Sequence, residues 1–124
     1  MSVTGKVKWF EITSNDPAAS REFYESLFGW AAQGDPDVYL MFPPHGDGDI
    51  PGGLMQARGH APYACFGVEV DDVDEAFRHA VELGATTLVE PTDNPGGVRS
   101  AYLQDPDGSI FSIYRFAHRP DGSA

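Results

Sequence analysis

Apolar positions in this chain fall into short runs whose spacing changes between strand and helix periods. Residues 7–13 (VKWFEIT) carry the β-branched and aromatic content of a strand. Asp16-Pro17 then predicts a helix start, because an aspartate can cap free amides and proline suits the first helical position. Ala19, Phe23 and Leu27, with Tyr24 and Phe28, recur at helical spacing and predict one broad apolar stripe, and Gly29 supplies the stop. Short strands are predicted at 30–32, 38–42 and 53–56.

The pattern then repeats. Residues 63–70 read as a strand, and Asp71-Asp72-Val73-Asp74-Glu75 as an acidic helix start favoured by the helix dipole. Val73, Ala76, Phe77, Ala80 and Val81 form the stripe of that helix, and Gly84 ends it. Strands at 86–89, 98–104 and 110–116 complete the second copy, the last two joined by the turn Asp105-Pro106-Asp107-Gly108. Strand, cap, helix and stop all recur at an offset of about 55 residues, so the chain reads as a tandem of two βαβββ units of α+β class. One such unit is too small to bury its own stripe, so the two are expected to pack side by side. The expected organisation is a single domain over 1–124, with modules at about 5–58 and 62–117 and a polar, flexible tail at 118–124. Glycine and proline gather at 43–49, 59–62 and 93–97, which read as loops.

Composition narrows the function. The 124 residues carry 19 acidic and 8 basic side chains, a formal charge of −11, which disfavours binding to nucleic-acid phosphates. One cysteine, Cys65, rules out an internal disulfide and fits a reducing, cytoplasmic setting. No apolar run reaches the ~20 residues of a membrane span, and the first residues lack a signal-type stretch, so no membrane partner is expected.

Trp9-Phe10-Glu11-Ile12, Asp16-Pro17, Phe23-Tyr24, Leu27-Phe28-Gly29-Trp30 and Asp105-Pro106-Asp107-Gly108 with Phe111 resemble the vicinal oxygen chelate superfamily. That group includes glyoxalase I, extradiol dioxygenases, fosfomycin-resistance enzymes and bleomycin-resistance proteins. The likeness runs from about Val7 to Phe116. It implies curled mixed sheets around a cavity, helices outside, and a small-molecule ligand. It also implies a homodimer, with Trp30, Tyr39 and Phe42 as candidate apolar surface and the pairing of units within or between chains left open.

Strand alternation then sorts the side chains. Phe10 and Ile12, Phe66, Val68 and Val70, and Phe111 and Ile113 are expected to face the helices. Trp9, Glu11 and Thr13, Cys65, Gly67 and Glu69, and Ile110, Ser112 and Tyr114 are expected to face inward. Metal-dependent members of the superfamily place ligands on four strands. By resemblance those positions fall on Trp9, within Gly53-Leu54-Met55, on Cys65 and on Ser112, a poor set for a divalent ion. No metal and no cofactor are therefore expected. His45, His60, His79 and His118 miss the inward strand positions, and the His45, Asp47, Asp49 loop lacks a recognised ligand spacing.

Glu11 is the candidate catalytic residue: an inward carboxylate can act as a general base or pair with a cationic ligand, or else bond to a neighbouring strand or to Arg99. Trp9, Tyr39, Met41, Met55, Tyr102 and Tyr114 are candidate ligand-binding residues for a flat or greasy molecule, or plain core. Cys65 and Ser112 join them by position. Glu69 lies nearer the rim, and Arg99 either reaches an anionic or carbonyl group or forms a surface ion pair. Two functions fit. One is a metal-independent binding protein, like the bleomycin-resistance branch, that sequesters a cationic or aromatic metabolite or antibiotic. The other is a metal-independent isomerase, lyase or ring-modifying enzyme, acting on an aromatic or polyketide-like metabolite through Glu11. A metal-dependent glyoxalase or dioxygenase activity comes third.

Overall fold

A computed structural model describes residues 5–57 and 59–117. The elements run β1 (Gly5–Ser14), α1 (Pro17–Phe28), β2 (Gln33–Asp35), β3 (Tyr39–Phe42), β4 (Gly52–Gln56), β5 (Ala64–Val70), α2 (Val73–Glu82), β6 (Thr86–Asn94), β7 (Val98–Gln104) and β8 (Ile110–Phe116). The chain divides into two compact units. The first is Lys8–Cys65, and the second combines Met1–Val7 with Phe66–Ala124. The tail at 118–124, with His118, lies outside the described residues.

Both units have the same βαβββ topology, which establishes the repeat read from the sequence. In the first the strand order is β2-β3-β4-β1, with β1 parallel to β4 and the other pairs antiparallel. In the second it is β6-β7-β8-β5, with β5 parallel to β8 and the rest antiparallel. Aspartates start both helices. Asp16 Oδ1 accepts from the Ala19 amide at 3.2 Å, and Asp72 Oδ1 from the Glu75 amide at 3.1 Å. The second cap is thus Asp72, one residue beyond Asp71. Gly29 closes α1 at φ 74, the left-handed region that glycine tolerates best.

The core of the first unit is Leu40, Phe42 and Leu54, with Phe10, Ile12, Tyr24, Trp30 and Ala32 packed against them. That of the second is Val70, Val73, Ala76, Ala101, Leu103 and Ile113, with Val68, Phe77, Ala80, Ala85 and Phe111. Phe10, Ile12, Val68, Val70, Phe111 and Ile113 therefore sit on the helix side, as alternation requires. Phe66 is exposed beyond this core and stacks on Phe111 at 6.2 Å.

Several expectations need correction. The α1 stripe is narrower than its apolar content suggests. The helix turns Pro17, Ser20 and Tyr24 inward, which leaves Phe23 59% and Leu27 58% exposed. Val81 of α2 is likewise exposed. No strand forms at 30–32. Trp30 packs on Phe28 and Phe42 at 4.9 and 5.2 Å, and the Ala32 amide donates to Glu25 Oε2 rather than to a neighbouring strand. β6 runs five residues past the predicted end, with register shifts on either side of Val89. Asp93 and Asn94 pair with Arg99 and Val98, so the predicted loop at 93–97 shrinks to a turn.

Candidate functional site

The chemistry of the first unit lies on the sheet face away from its aromatic core. On β1, Trp9 and Glu11 alternate with the core residues Phe10 and Ile12, and on β3, Tyr39 and Met41 alternate with Leu40 and Phe42. Glu11 is only 5% exposed. The Tyr39 hydroxyl donates to Glu11 Oε2 at 2.6 Å, and the Trp9 indole Nε1 donates to the Tyr39 oxygen at 3.2 Å. A donor–acceptor chain thus runs Trp9 to Tyr39 to Glu11, and the last link has the length of a charge-assisted bond.

Two adjacent glycines make this arrangement possible. On the helix side, a Cβ on Gly52 would overlap the Phe10 ring. On the opposite side, a Cβ on Gly53 would overlap the phenol end of Tyr39. Gly53 pairs with Glu11 on one side and Met41 on the other, so it lies on the path that Tyr39 crosses to reach β1. A Gly-Gly pair inside a strand signals such close approach, and it is the one sequence sign of this contact.

Cys65 and Tyr63 stand near the same carboxylate. Burial first, and the Glu11 charge second, push the Cys65 thiol up to about 12. Burial, with Glu11 beside it, pushes the Tyr39 phenol far above its ordinary range, and Tyr63 is raised by burial, then by Cys65 and Glu11. At neutral pH these groups are therefore protonated and do not act as bases. Tyr63 was not singled out from the sequence, although it precedes Cys65 by two residues and shares its parity. The backbone of Tyr63 is held by Thr13, whose Oγ1 accepts from the Tyr63 amide at 2.9 Å. Met55, opposite Thr13 in the register, completes the residues expected on this face.

In the second unit, Glu69, Tyr102, Ser112 and Tyr114 lie on the face away from α2, since their neighbours Val68, Val70, Ala101, Leu103, Phe111 and Ile113 make the core. Ser112 stands between Gly67 and Tyr102, and Tyr114 between Glu69 and Ser100. Both are buried. Arg99 does not join them. It shares the parity of Ala101 and Leu103, and its guanidinium is held by Asp74 at 2.8 and 2.9 Å and by Asp93 at 3.0 Å. It is the surface ion pair of the two alternatives. Within the first unit, the Tyr39 hydroxyl donates to Glu11.

A cavity of about 450 Å³ in the second unit carries Asp71, Asp72, Asp74, Asp93, Arg99 and Arg115 on its lining, with Arg99 paired to Asp74 and Asp93 and Arg115 to Asp71. Another of about 320 Å³ in the first unit sits beside Phe10, Trp30, Phe42 and the 43–50 loop. Neither is lined by Glu11, and the buried carboxylate with its protonated neighbours carries more chemistry than either.

Among the described residues, no three His, Cys, Asp or Glu side chains are grouped so as to hold a metal ion. Of the positions that the resemblance assigns to metal ligands, Trp9 offers an indole and Cys65 a protonated thiol in the first unit, and Ser112 a hydroxyl in the second. Neither an indole nor a neutral hydroxyl is a good ligand for a divalent ion. His45 is exposed in its loop, the His60 ring lies 5.3 Å from Tyr63, and His79 sits 3.9 Å from Glu82 on α2.

Comparison with known proteins agrees with this fold. The family described as Glyoxalase/Bleomycin resistance protein/Dioxygenase superfamily matches residues 6–113. The anthracycline biosynthesis protein DnrV of Streptomyces peucetius is 35% identical over 115 residues, covering 90% of this chain and 42% of its own length. The chain thus spans less than half of the curated relatives it matches. A variant of Streptomyces coelicolor methylmalonyl-CoA epimerase in complex with 2-nitronate-propionyl-CoA superposes with a TM-score of 0.64 at 19% identity, over 94% of this chain and 99% of that one. The Mn(II)-bound glyoxalase of Novosphingobium aromaticivorans gives 0.63 at 21% identity, over 88% of this chain and 38% of that one. At these identities the structural likeness speaks for the fold alone.

Proposed function

The chain belongs to the Glyoxalase/Bleomycin resistance protein/Dioxygenase superfamily, and we propose that it is a metal-independent small-molecule-binding protein that takes a cationic or aromatic metabolite at Glu11. The observation that carries this reading is the buried Glu11 carboxylate, tied to Tyr39 at 2.6 Å and bordered by groups that stay protonated. Such a site concentrates acceptor character in one place and suits a ligand that brings a donor or a positive charge. Trp9 and Tyr39 add aromatic surface, and the net charge of −11 favours capture of cations. We place the protein in the cytoplasm on its single cysteine. Among the described residues no helix is long and apolar enough to cross a membrane.

A second reading is an enzyme: an isomerase, lyase or ring-modifying activity with Glu11 as acid/base. The likeness to a protein named for anthracycline biosynthesis supports an aromatic or polyketide-like substrate. One positioned carboxylate supplies roughly 10²–10⁴-fold by general acid–base catalysis. A homodimer also belongs to this proposal. The apolar surface that supports it is not Trp30, Tyr39 and Phe42, which are half-buried or buried, but the exposed Phe23, Leu27 and Phe28 of α1.

Glu11→Gln separates the two functions. For a binding protein it weakens a cationic probe such as benzylammonium and no product forms with any aromatic candidate. For an enzyme it abolishes turnover while affinity holds. If the substitution changes neither binding nor turnover, Glu11 is not the functional group and both readings fall.

A further inference from the structure

We propose that Tyr39 is the positioning residue of this site and that Gly53 is the position that admits it. The inference rests on the reading of Glu11 as the ligand's acceptor and deepens it by saying what aims the carboxylate. β3 and β1 are not neighbours; β4 lies between them, so their backbones stand roughly 10 Å apart at the usual strand spacing. A side chain from β3 must cross over β4 to touch Glu11. Tyrosine has the reach and ends in a donor. Phenylalanine has no donor, and serine or threonine has no reach. The crossing point is Gly53, where any Cβ would overlap the phenol end of the ring.

The hydroxyl is also held in both directions. Its hydrogen goes to Glu11 Oε2 at 2.6 Å, and its oxygen accepts from the Trp9 indole at 3.2 Å. Held from both ends, the phenol fixes the direction of one carboxylate oxygen. Tyr39 therefore acts through Glu11, and a ligand's donor meets a carboxylate whose orientation is set beforehand. Met41, which pairs with Gly53 on the β3 side, cannot substitute, since a thioether has no hydrogen to donate.

The test uses Tyr39→Phe with two probes of one shape, benzylammonium and neutral benzyl alcohol, and the two indole N–H resonances from Trp9 and Trp30. In Tyr39→Phe the Trp9 resonance is expected to shift while that of Trp30 stays. The preference for benzylammonium over benzyl alcohol is expected to fall by about 5–10-fold, the size of one lost hydrogen bond. A purely structural tyrosine would weaken both probes alike. An unmoved Trp9 resonance, or an unchanged preference, overturns the proposal. If the wild-type protein binds neither probe, the reading of Glu11 fails. That Gly53 is the position that admits the Tyr39 ring is then decided separately by a double-mutant cycle. Gly53→Ala is expected to lower Tm in the wild type and to cost little in Tyr39→Ala, where the ring is gone. Additive losses overturn the proposal there as well.

Discussion

Arg99 grips Asp74 with two parallel hydrogen bonds, Nη2 to Oδ1 at 2.8 Å and Nε to Oδ2 at 2.9 Å, and so ties β7 to the first turn of α2. The hydrogen bonds from Arg99 hold the Asp74 carboxyl below the usual carboxylate range. A depressed carboxylate stabilises the fold above its unfolded value and loses that contribution as pH falls through the lower folded one. Arg99→Gln is expected to lower Tm by no more than a few degrees at neutral pH, since both partners are solvent-exposed. The gap between variant and wild type should close below about pH 4 and narrow in high salt. Thermal melts across pH 2–7 measure it.

Alkaline conditions probe the other end. Cys65 is pushed up to about 12 by burial and by Glu11, and Tyr39 and Tyr63 are raised too. Their contribution is complete below about pH 9, where the unfolded thiol titrates, and is lost as pH climbs toward the folded values. Stability should therefore drop steeply above pH 9, and Cys65→Ala should flatten part of that drop. At pH 8 iodoacetamide should label native Cys65 at least about ten-fold more slowly than the urea-unfolded chain.

Leu54 is fully buried between Leu40 and the β1 residue Ile12 in the register of the first sheet. Leu54→Ala should cost about 2–5 kcal/mol in urea unfolding, through lost apolar burial and the cavity left behind. An exposed counterpart, Leu27→Ala on α1, should cost well under half of that in the isolated chain.

Divalent cations give a fourth check. A ligand that binds only the native state raises Tm with occupancy. Since no three His, Cys, Asp or Glu side chains among the described residues are grouped to hold an ion, Mn²⁺, Ni²⁺ or Zn²⁺ at ten-fold molar excess should leave Tm within a degree. A reproducible rise of several degrees would mean that side chains regroup around the ion.

Much of the fold was legible because its determinants are local. Asp16-Pro17 and Gly29 bound α1, and the parity of Phe10 and Ile12 put Trp9 and Glu11 on the other face. The repeat emerged from the same cues used twice. What escaped was decided across strands. The bulged length of β6 depends on how β7 pairs with it, and the exposure of Phe23 depends on which line of α1 meets the sheet. In the candidate site, alternation put Glu11 on the face away from the core, but its bond to Tyr39 needed the strand order, because the two residues come from strands separated by a third. For Arg99 the sequence left two alternatives, and its ion pairs with Asp74 and Asp93, on the same parity as Ala101 and Leu103, are the second of them.

The rings of Phe10 and Tyr39 clasp β4 from opposite sides at Gly52 and Gly53, and this narrows the routes by which descendants of the chain can diverge. Every amino-acid replacement at either glycine adds bulk where a ring already sits, so the ring must shrink or leave first. Positions 10 and 52, and separately 39 and 53, should therefore vary as two locked couples, each with a required order of replacement. Lineages that lost the tyrosine would be the ones free to place a side chain at 53 and to evolve a differently armed site.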